Sequence, residues 1–237
     1  MANPYFQFKQ FTIQQDTCAM KVCTDACILG AWFAAKISST GYILDIGSGT
    51  GLLMLMLAQK TNATIHGIEI DLPSFKQSNQ NITQNSWSER LTIFPGDVRA
   101  TTFNTLYDFI ICNPPFFEND LISRKEPEQV AKHSKELSLK DLVLTIDENL
   151  KPSGTFGILL PYHRWKYFVQ LAEESGFYPT ETLFIKHTPQ HDRFRTIITL
   201  SRYKENFIPE FELIIKQPNG DYTSEFVELL RNYYLKF

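Results

Sequence analysis

Residues 42–51 read Tyr-Ile-Leu-Asp-Ile-Gly-Ser-Gly-Thr-Gly, a short apolar run that ends in three alternating glycines. The run predicts a buried strand, and the glycines allow the backbone to turn tightly after it. The nearly all-apolar stretch 51–60 then predicts a helix enclosed by its own sheet. A strand, a glycine turn and a buried helix in this order are typical of an open α/β sheet that binds a ligand at the carboxyl ends of its strands.

Short β-type runs and amphipathic stretches continue to alternate along the chain. The runs are 42–46, 64–69, 91–95, 107–112, 155–160, 183–187 and 195–202. This alternation predicts parallel strands with helices on both faces. Because residues 188–194 are too few for a crossover helix, the last two runs should form a hairpin with one antiparallel strand. The pattern resembles the Rossmann-like class I methyltransferase fold, which implies a mostly parallel, seven-stranded α/β sheet of order 3-2-1-4-5-7-6.

We predict a single domain over residues 1–237, because 43% hydrophobic content at this length supports one sizeable core. Within it we expect an N-terminal extension with short strands and a helix at 1–40, a catalytic core at 41–203, and a C-terminal strand and helix at 204–237. The charged stretch 117–138 lacks a clear period and is predicted to be a mobile loop beside the site.

Composition excludes several classes of protein. The net charge of −3 excludes a generally basic nucleic-acid coat protein, so a polyanion would have to meet a local patch. Residues 162–204 carry seven Lys or Arg against four Asp or Glu, which is either such a patch or an ordinary solvated face. The four cysteines lack zinc-site spacing, and no apolar stretch is long enough to cross a bilayer. We therefore expect a cytoplasmic protein without a metal or a membrane partner.

The glycine turn is the first candidate ligand site. Three glycines, Gly47, Gly49 and Gly51, would let the backbone approach a ligand. The ligand could be a nicotinamide or flavin cofactor, or the segment could be a tight turn that binds no ligand. Two details favour S-adenosylmethionine. The spacing is G-x-G-x-G rather than G-x-G-x-x-G, and Asp45 precedes the turn, where a carboxylate suits an ammonium group.

Two further acids follow strand ends. Glu69 could bind both hydroxyls of a ribose, or it could be a solvated acid at a strand end. Asp97, after Gly96, could accept from an adenine amino group, or it could cap a loop or helix.

Asn113-Pro114-Pro115-Phe116 directly follows the run 107–112. Pro114 and Pro115 lack the N–H groups that a helix or a β-sheet would use for hydrogen bonds. Asn113 should therefore leave the strand with its side chain in the cleft. An exocyclic amine on an aromatic ring is a poor nucleophile, so it needs two acceptors for its hydrogens and a flat apolar face. Asn113 and the Pro114 carbonyl supply the acceptors, and Phe116 supplies the face. The tetrad predicts amino-group methylation, with a plain turn as the alternative.

The turn and the tetrad together resemble amino-methyltransferases that act on adenine N6, guanine N2 or a glutamine amide. Motifs near both ends of the chain resemble the bacterial tRNA(Val) adenine-N6 methyltransferase family more specifically. These motifs are Phe8-Lys9-Gln10-Phe11, Cys18-Ala19-Met20-Lys21-Val22-Cys23-Thr24-Asp25, Leu29-Gly30-Ala31-Trp32 and Asp221-Tyr222-Thr223-x-Glu225-Phe226. The resemblance covers nearly the whole chain, and Cys23 stands where the family pattern has glycine.

The resemblance implies methylation of N6 of adenine 37, 3′ of the anticodon, in a valine tRNA. S-Adenosyl-L-methionine would be the donor and S-adenosyl-L-homocysteine the product. Thr24 would lie near the methionine end of the cofactor and Asp97 near its adenine. The predicted cofactor-binding residues are Thr24, Asp45, Gly47, Gly49, Gly51, Glu69, Asp97 and Asn113, and the predicted catalytic residues are Asn113, Pro114, Pro115 and Phe116.

A base in a single-stranded loop is easier to unstack than one in a duplex, so Phe116 and Phe117 could capture it. The residues that we expect to meet tRNA phosphates are Lys9, Lys21, Arg164, Lys166, Arg193 and Arg195. Four alternatives stay open at this point. They are glutamine methylation of a release factor, DNA adenine methylation, a non-catalytic tRNA-binding protein, and a nicotinamide-dependent oxidoreductase. The last would leave the tetrad unexplained.

Overall fold

A twisted eight-stranded sheet forms the centre of the molecule in the computed structural model, which describes residues 3–38, 40–114 and 137–237. The strands are β1 Tyr5–Gln7, β2 Thr12–Gln14, β3 Tyr42–Ile46, β4 Thr64–Glu69, β5 Leu91–Pro95, β6 Tyr107–Cys112, β7 Leu150–Pro161, β8 Tyr178–Lys186, β9 Arg193–Ser201 and β10 Glu210–Ile214. The helices are α1 Thr24–Ala34, α2 Leu52–Ala58, α3 Leu72–Thr83, α4 Leu139–Asn149, α5 Trp165–Glu174 and α6 Ser224–Leu230. Short 3-10 turns lie at Ser88–Arg90, Val98–Ala100 and Tyr162–Arg164.

The sheet has the order β5-β4-β3-β6-β7-β9-β8-β10, and β9 runs antiparallel to both of its neighbours. The first seven of these strands keep the predicted order and the predicted reversed strand. The predicted count of seven is wrong, because β10 adds an eighth strand parallel to β8, from Glu210 opposite Thr182 to Ile214 opposite Lys186. The sequence predicts a strand in the C-terminal addition at 204–237, but nothing local in residues 210–214 shows that their partner strand lies some 28 residues earlier in the chain.

Side chains alternate between two cores, as the two-residue period of a strand requires. Ile43, Ile65 and Ile111 face one layer, which contains α1, α2, α3 and α6. Leu44, Ile68 and Ile110 face the other layer, which contains α4 and α5. Every residue of α2 is buried, which explains why that stretch shows no polar face. Each fully buried Leu of this helix contributes about 1.5–3 kcal/mol of transfer free energy.

Local side-chain hydrogen bonds cap the starts of three helices, α3, α4 and α6. The pattern Ser138-Leu-Lys-Asp141 predicts a helix start, and Ser138 does cap α4, because its Oγ accepts from the Asp141 N–H at 3.0 Å and donates to the Asp141 carboxylate at 2.8 Å. Asp71 caps α3 by accepting from the Ser74 N–H at 2.9 Å. The cap of α3 therefore lies two residues after the end of β4, close to the edge where ligands bind in sheets of this kind.

The two ends of the chain meet on the α2 side of the sheet. Phe8 forms a β-bridge with Tyr234, and the Lys9 N–H donates to the Tyr233 carbonyl at 2.8 Å. The Tyr233 hydroxyl donates to the Met56 carbonyl of α2 at 3.1 Å. The predicted loop at 117–138 lies outside the described residues, apart from its last two. Within the described chain, no helix has the length and apolar character needed to cross a bilayer.

Candidate active site

Three of the predicted site residues follow or end neighbouring parallel strands. Asp45 of β3 lies opposite Gly67 of β4 and Ile111 of β6. Glu69 ends β4, and Asn113 directly follows β6. Since neighbouring strands are about 4.8 Å apart, this register brings the three side chains to one region at the carboxyl edge of the sheet.

Asp45 is fully buried, and neither of its carboxylate oxygens has a hydrogen-bond partner among the described residues. Burial, and to a smaller extent the negative charge of Glu69, raises the pKa of Asp45 to about 8. A buried carboxylate without donors is energetically costly, and a cation with N–H groups removes that cost. The ammonium group of S-adenosylmethionine therefore fits this position.

The glycine turn has the left-handed backbone that its sequence predicts. The φ angles of Gly47, Gly49 and Gly51 are 74°, 53° and 78°. The Gly47 and Ser48 N–H groups both donate to the Ile68 carbonyl, at 3.0 and 3.1 Å, which ties the turn to β4. A Cβ added at Gly47 or Gly49 would meet no atom within 4 Å, so backbone conformation rather than lack of space requires glycine there. The space above the turn is open to a ligand.

Glu69 is held in a single orientation by two backbone donors. One carboxylate oxygen accepts from the Gly49 N–H and the other from the Asp71 N–H, both at 2.8 Å. Each oxygen keeps a further lone-pair position, so both can still accept from a pair of adjacent hydroxyls. The geometry therefore fits the predicted contact with a ribose.

Asn113 is the candidate hydrogen-bond acceptor for the target amine. Its Oδ1 atom is buried and has no hydrogen-bond partner among the described residues, while Pro114 beside it is buried. If Oδ1 stabilised the local backbone, it would accept a hydrogen bond from it. No such bond is present among the described residues, so the oxygen is available to a ligand. Pro115, Phe116 and Phe117 lie outside the described residues. Burial, with the Asp45 charge, raises the pKa of the adjacent Cys112 well above its usual range, so this thiol stays protonated.

Asp97 has the capping role that the sequence analysis raised as its alternative. It accepts from the Arg99 N–H at 3.0 Å at the start of the turn Val98–Ala100. Its carboxylate also pairs with the Arg99 guanidinium at 2.6 Å, which lowers the pKa of Asp97. Contact between Asp97 and a bound adenine stays a prediction.

Thr24 begins α1 and lines a cavity of about 480 Å³ together with Asp25, Phe194 and Tyr222. The described contacts do not join it to Asp45 or to the glycine turn. Its predicted place near the methionine end of the cofactor is therefore still a prediction.

The predicted phosphate-binding residues are not equally available. Arg193 pairs with Glu212 at 2.9 Å and lies over the Phe184 ring, 4.0 Å from its centroid. Arg195 pairs with Asp25 at 2.8 Å. Because acids offset both charges, Arg193 and Arg195 are less available to tRNA phosphates than their sequence alone indicates.

Of the other four predicted cations, Lys9, Lys21 and Lys166 have no acid at salt-bridge distance within the described ranges. Lys9 donates to the Arg231 carbonyl, Arg164 and Lys166 lie near the Tyr167 and Trp165 rings, and Lys21 is exposed. The sequence shows their charge but not these ring contacts.

Sequence reasoning missed three residues at this site. A Cβ at Gly67 would collide with Ser48 Oγ and with Met54 Sδ, so glycine lets the turn and α2 pack directly on β4. Ile70 and Leu72 follow Glu69 and are 62% and 53% exposed. The signal for Gly67 is a glycine inside an apolar strand. The signal for Ile70 and Leu72 is an apolar residue that follows the acid at the end of a strand. No group of acids, histidines or cysteines that could hold a metal occurs in the described part of the chain.

Comparison with known proteins identifies relatives over the full length. The family model of the methyltransferase small domain matches residues 25–155. A tRNA1(Val) (adenine(37)-N6)-methyltransferase of Dyadobacter fermentans is 42% identical over 99% of both chains. One of Bacteroides fragilis is 37% identical over 100% of both chains.

Solved structures agree at the level of the fold. A predicted O-methyltransferase from Agrobacterium tumefaciens has a TM-score of 0.66 at 15% identity, covering 88% of this chain and 96% of that chain. The glycopeptide N-methyltransferase MtfA complexed with S-adenosyl-L-methionine has a TM-score of 0.55 at 11% identity, covering 73% and 86%. The fold is that of class I S-adenosylmethionine-dependent methyltransferases, and the chain belongs to the tRNA1(Val) (adenine(37)-N6)-methyltransferase family.

Proposed function

We propose that the protein uses S-adenosyl-L-methionine to methylate N6 of adenine 37 in the anticodon loop of a valine tRNA. One observation carries the proposal at the level of the site. The Asp45 carboxylate in β3 and Asn113 Oδ1, directly after the neighbouring β6, are buried acceptors without partners among the described residues, and both lie at the carboxyl edge of the sheet. The first suits the cation of the methyl donor, and the second suits the N–H hydrogens of the methyl acceptor. The full-length relatives are named as tRNA1(Val) (adenine(37)-N6)-methyltransferases, an activity that needs both a methyl donor and an amine acceptor.

When bound, the cofactor supplies a methyl group that its positive sulfur has already activated, so no strong base or metal is needed. Asp45 would bind the ammonium group, and Glu69 the ribose hydroxyls. Ile70, 62% exposed beside Glu69, offers an apolar face to the adenine ring of the cofactor. These contacts orient the donor, and orientation supplies much of the rate in a displacement of this kind.

Asn113 Oδ1 and the Pro114 carbonyl would accept the two N–H hydrogens of the target amine. The nitrogen gains positive charge as the methyl group arrives, so both acceptors bind the transition state more strongly than the neutral amine. Phe116 would hold the base by stacking, with Phe117 beside it. Phosphates of the anticodon loop would meet Arg164, Lys166, Lys9 and Lys21, and we expect the reaction to take place in the cytoplasm.

The test is nucleoside mass spectrometry of a valine tRNA transcript incubated with the protein and the cofactor. We expect N6-methyladenosine in a transcript with adenine at position 37 and none when that adenine is replaced by guanine. The Asn113→Ala protein provides the second control, because it should bind the cofactor and form little product. Methylation of a release-factor glutamine in place of the tRNA would refute the proposal.

A further inference from the structure

The cavity that Thr24 lines opens at the same edge of the sheet as the candidate active site, and the proposed reaction gives its other lining residues no role. It has a volume of about 480 Å³ and is lined by Asp25, His187, Phe194, Lys216 and Tyr222. His187 follows β8, Phe194 lies near the start of β9, and Lys216 follows β10. Since β8 and β10 run parallel to β7 and β6, these residues lie at the carboxyl edge of the sheet, as Asn113 does. The volume lies within the range of natural small-ligand pockets.

Aromatic rings form one wall of this cavity. The His187 ring stacks on the Phe194 ring with centroids 3.8 Å apart and planes 12° apart. His187 is exposed and also meets the His191 ring edge-to-face, with centroids 6.1 Å apart, so the part of its ring that Phe194 and His191 leave uncovered is available to a further flat group. Burial, with smaller contributions from the neighbouring His191 and Arg195, lowers the pKa of His187, which favours the neutral imidazole. A neutral ring on an aromatic ring extends the stacking surface towards the solvent.

The charge of the cavity is positive at its other side. Lys216 is exposed, and no salt bridge joins it to an acid within residues 3–38, 40–114 and 137–237. Its ammonium group lies 5.3 Å from the centroid of the Tyr222 ring. Asp25 does not oppose this charge, because it is paired with Arg195 at 2.8 Å. A ligand with both a flat ring and a negative group would use both sides of the cavity.

We propose that this cavity binds a second nucleotide of the substrate tRNA, with its base on the exposed face of His187 and its phosphate at Lys216. This inference rests on the proposed function, since it takes the tRNA as the molecule that is bound. Base stacking and phosphate attraction are the two interactions by which proteins hold single-stranded nucleotides. A free anion would contact only Lys216 and would not need the aromatic wall. A protein side chain would not need a stacking surface of this kind.

Spacing within the sheet supports a neighbouring nucleotide as the ligand. Two strand spacings separate β6, which positions Asn113, from β9, and three separate it from β8. The distance is therefore about 10–14 Å. Nucleotides of one anticodon loop could reach both sites at once, which would help to select a loop over an isolated adenosine.

The experiment compares His187→Ala and Lys216→Ala with wild type and with two matched controls. Tyr203→Ala removes a 63% exposed ring after β9, and Lys60→Ala removes an exposed cation after α2. Both control positions lie at the opposite edge of the sheet. Equilibrium binding of tRNA is measured first, and then the KM for tRNA and kcat are determined at saturating cofactor. Binding of S-adenosylhomocysteine and thermal melting show whether each protein is folded.

We expect His187→Ala to weaken tRNA binding and raise the KM about 10-fold with little change in kcat. His187→Phe keeps a stacking ring and should retain wild-type affinity. Lys216→Ala should weaken binding several-fold and reduce the salt slope of log K by about one unit. The controls should behave as wild type.

Equal tRNA affinity in wild type, His187→Ala and Lys216→Ala would overturn the inference even if wild type methylates the tRNA. A wild-type protein that binds tRNA in a His187-dependent way but transfers no methyl group would instead contradict the proposed function. The two failures can therefore be told apart.

Discussion

The Glu69 carboxylate accepts a hydrogen bond of 2.8 Å from the backbone N–H of Gly49, which joins the end of one strand to the glycine turn that follows its neighbour. The bond orients the carboxylate before any ligand arrives. It also holds the turn in its left-handed conformation. One interaction thus shapes both parts of the candidate cofactor site.

Glu69→Gln tests this relationship. An amide has one acceptor oxygen, so it cannot serve the Gly49 and Asp71 N–H groups from separate oxygens and also accept from two hydroxyls. We expect the free energy of unfolding to fall by about 1–2 kcal/mol and the affinity for S-adenosylhomocysteine to fall at least about 10-fold. Urea unfolding and calorimetry measure the two effects. The exposed Glu89→Gln is the matched control, and similar values for both variants would contradict the assignment.

Asp45→Asn should change how stability depends on pH. The Asp45 pKa is raised from 3.8 to about 8 in the folded protein, so between these values the unfolded chain has lost the proton and the folded chain keeps it. The unfolded state then binds fewer protons, and the free energy of unfolding of wild type falls as pH rises through this window. The amide does not titrate, so the variant should gain at least about 1 kcal/mol relative to wild type between about pH 5 and pH 8. Urea unfolding without ligand measures the difference, and parallel pH curves for the two proteins would refute it.

Cofactor affinity of the wild-type protein should rise with pH for the same reason. The cationic amine binds the ionised Asp45, which is a minor species below a pKa of about 8. Affinity for S-adenosylhomocysteine should therefore improve by up to about 10-fold per pH unit between roughly pH 6 and pH 7.5, with release of one proton. Calorimetry in buffers of different ionisation enthalpy detects that proton. Binding without proton release would contradict the assigned role of Asp45.

Asn113→Ala should separate catalysis from binding and from stability. Because Asn113 Oδ1 has no partner among the described residues, the loss of this oxygen removes no hydrogen bond to them. We expect kcat to fall on the order of 100-fold, while cofactor affinity and the free energy of unfolding change little. Single-turnover methylation, calorimetry and urea unfolding give the three values. Asn79→Ala, at an exposed position of α3, is the control. An equal loss of all three in Asn113→Ala would assign the residue a structural role.

Local features of the chain were predictable from the sequence. The apolar run before Gly47 predicted β3, and the short link before Arg193 predicted the antiparallel hairpin, both of which the structure contains. Ser138 predicted the start of α4, because its hydroxyl acts on an N–H group only three residues ahead. Predictions of this kind succeed because the interacting groups are close in the chain.

The errors concern partners that are distant in the chain. The pairing of β10 with β8 and the ion pair of Arg195 with Asp25, 170 residues earlier, depend on the complete topology. The same holds for the solvent exclusion that raises the pKa of Asp45, since burial results from all the layers around a group.

The sequence by itself determined the class of fold, the glycine turn and the candidate acceptors, because strand period and backbone sterics act over a few residues. Only the tertiary structure decided which acceptors lie together without partners and which cations are already paired. Register and packing between distant segments set those distances, and Coulomb and desolvation energies follow from the distances.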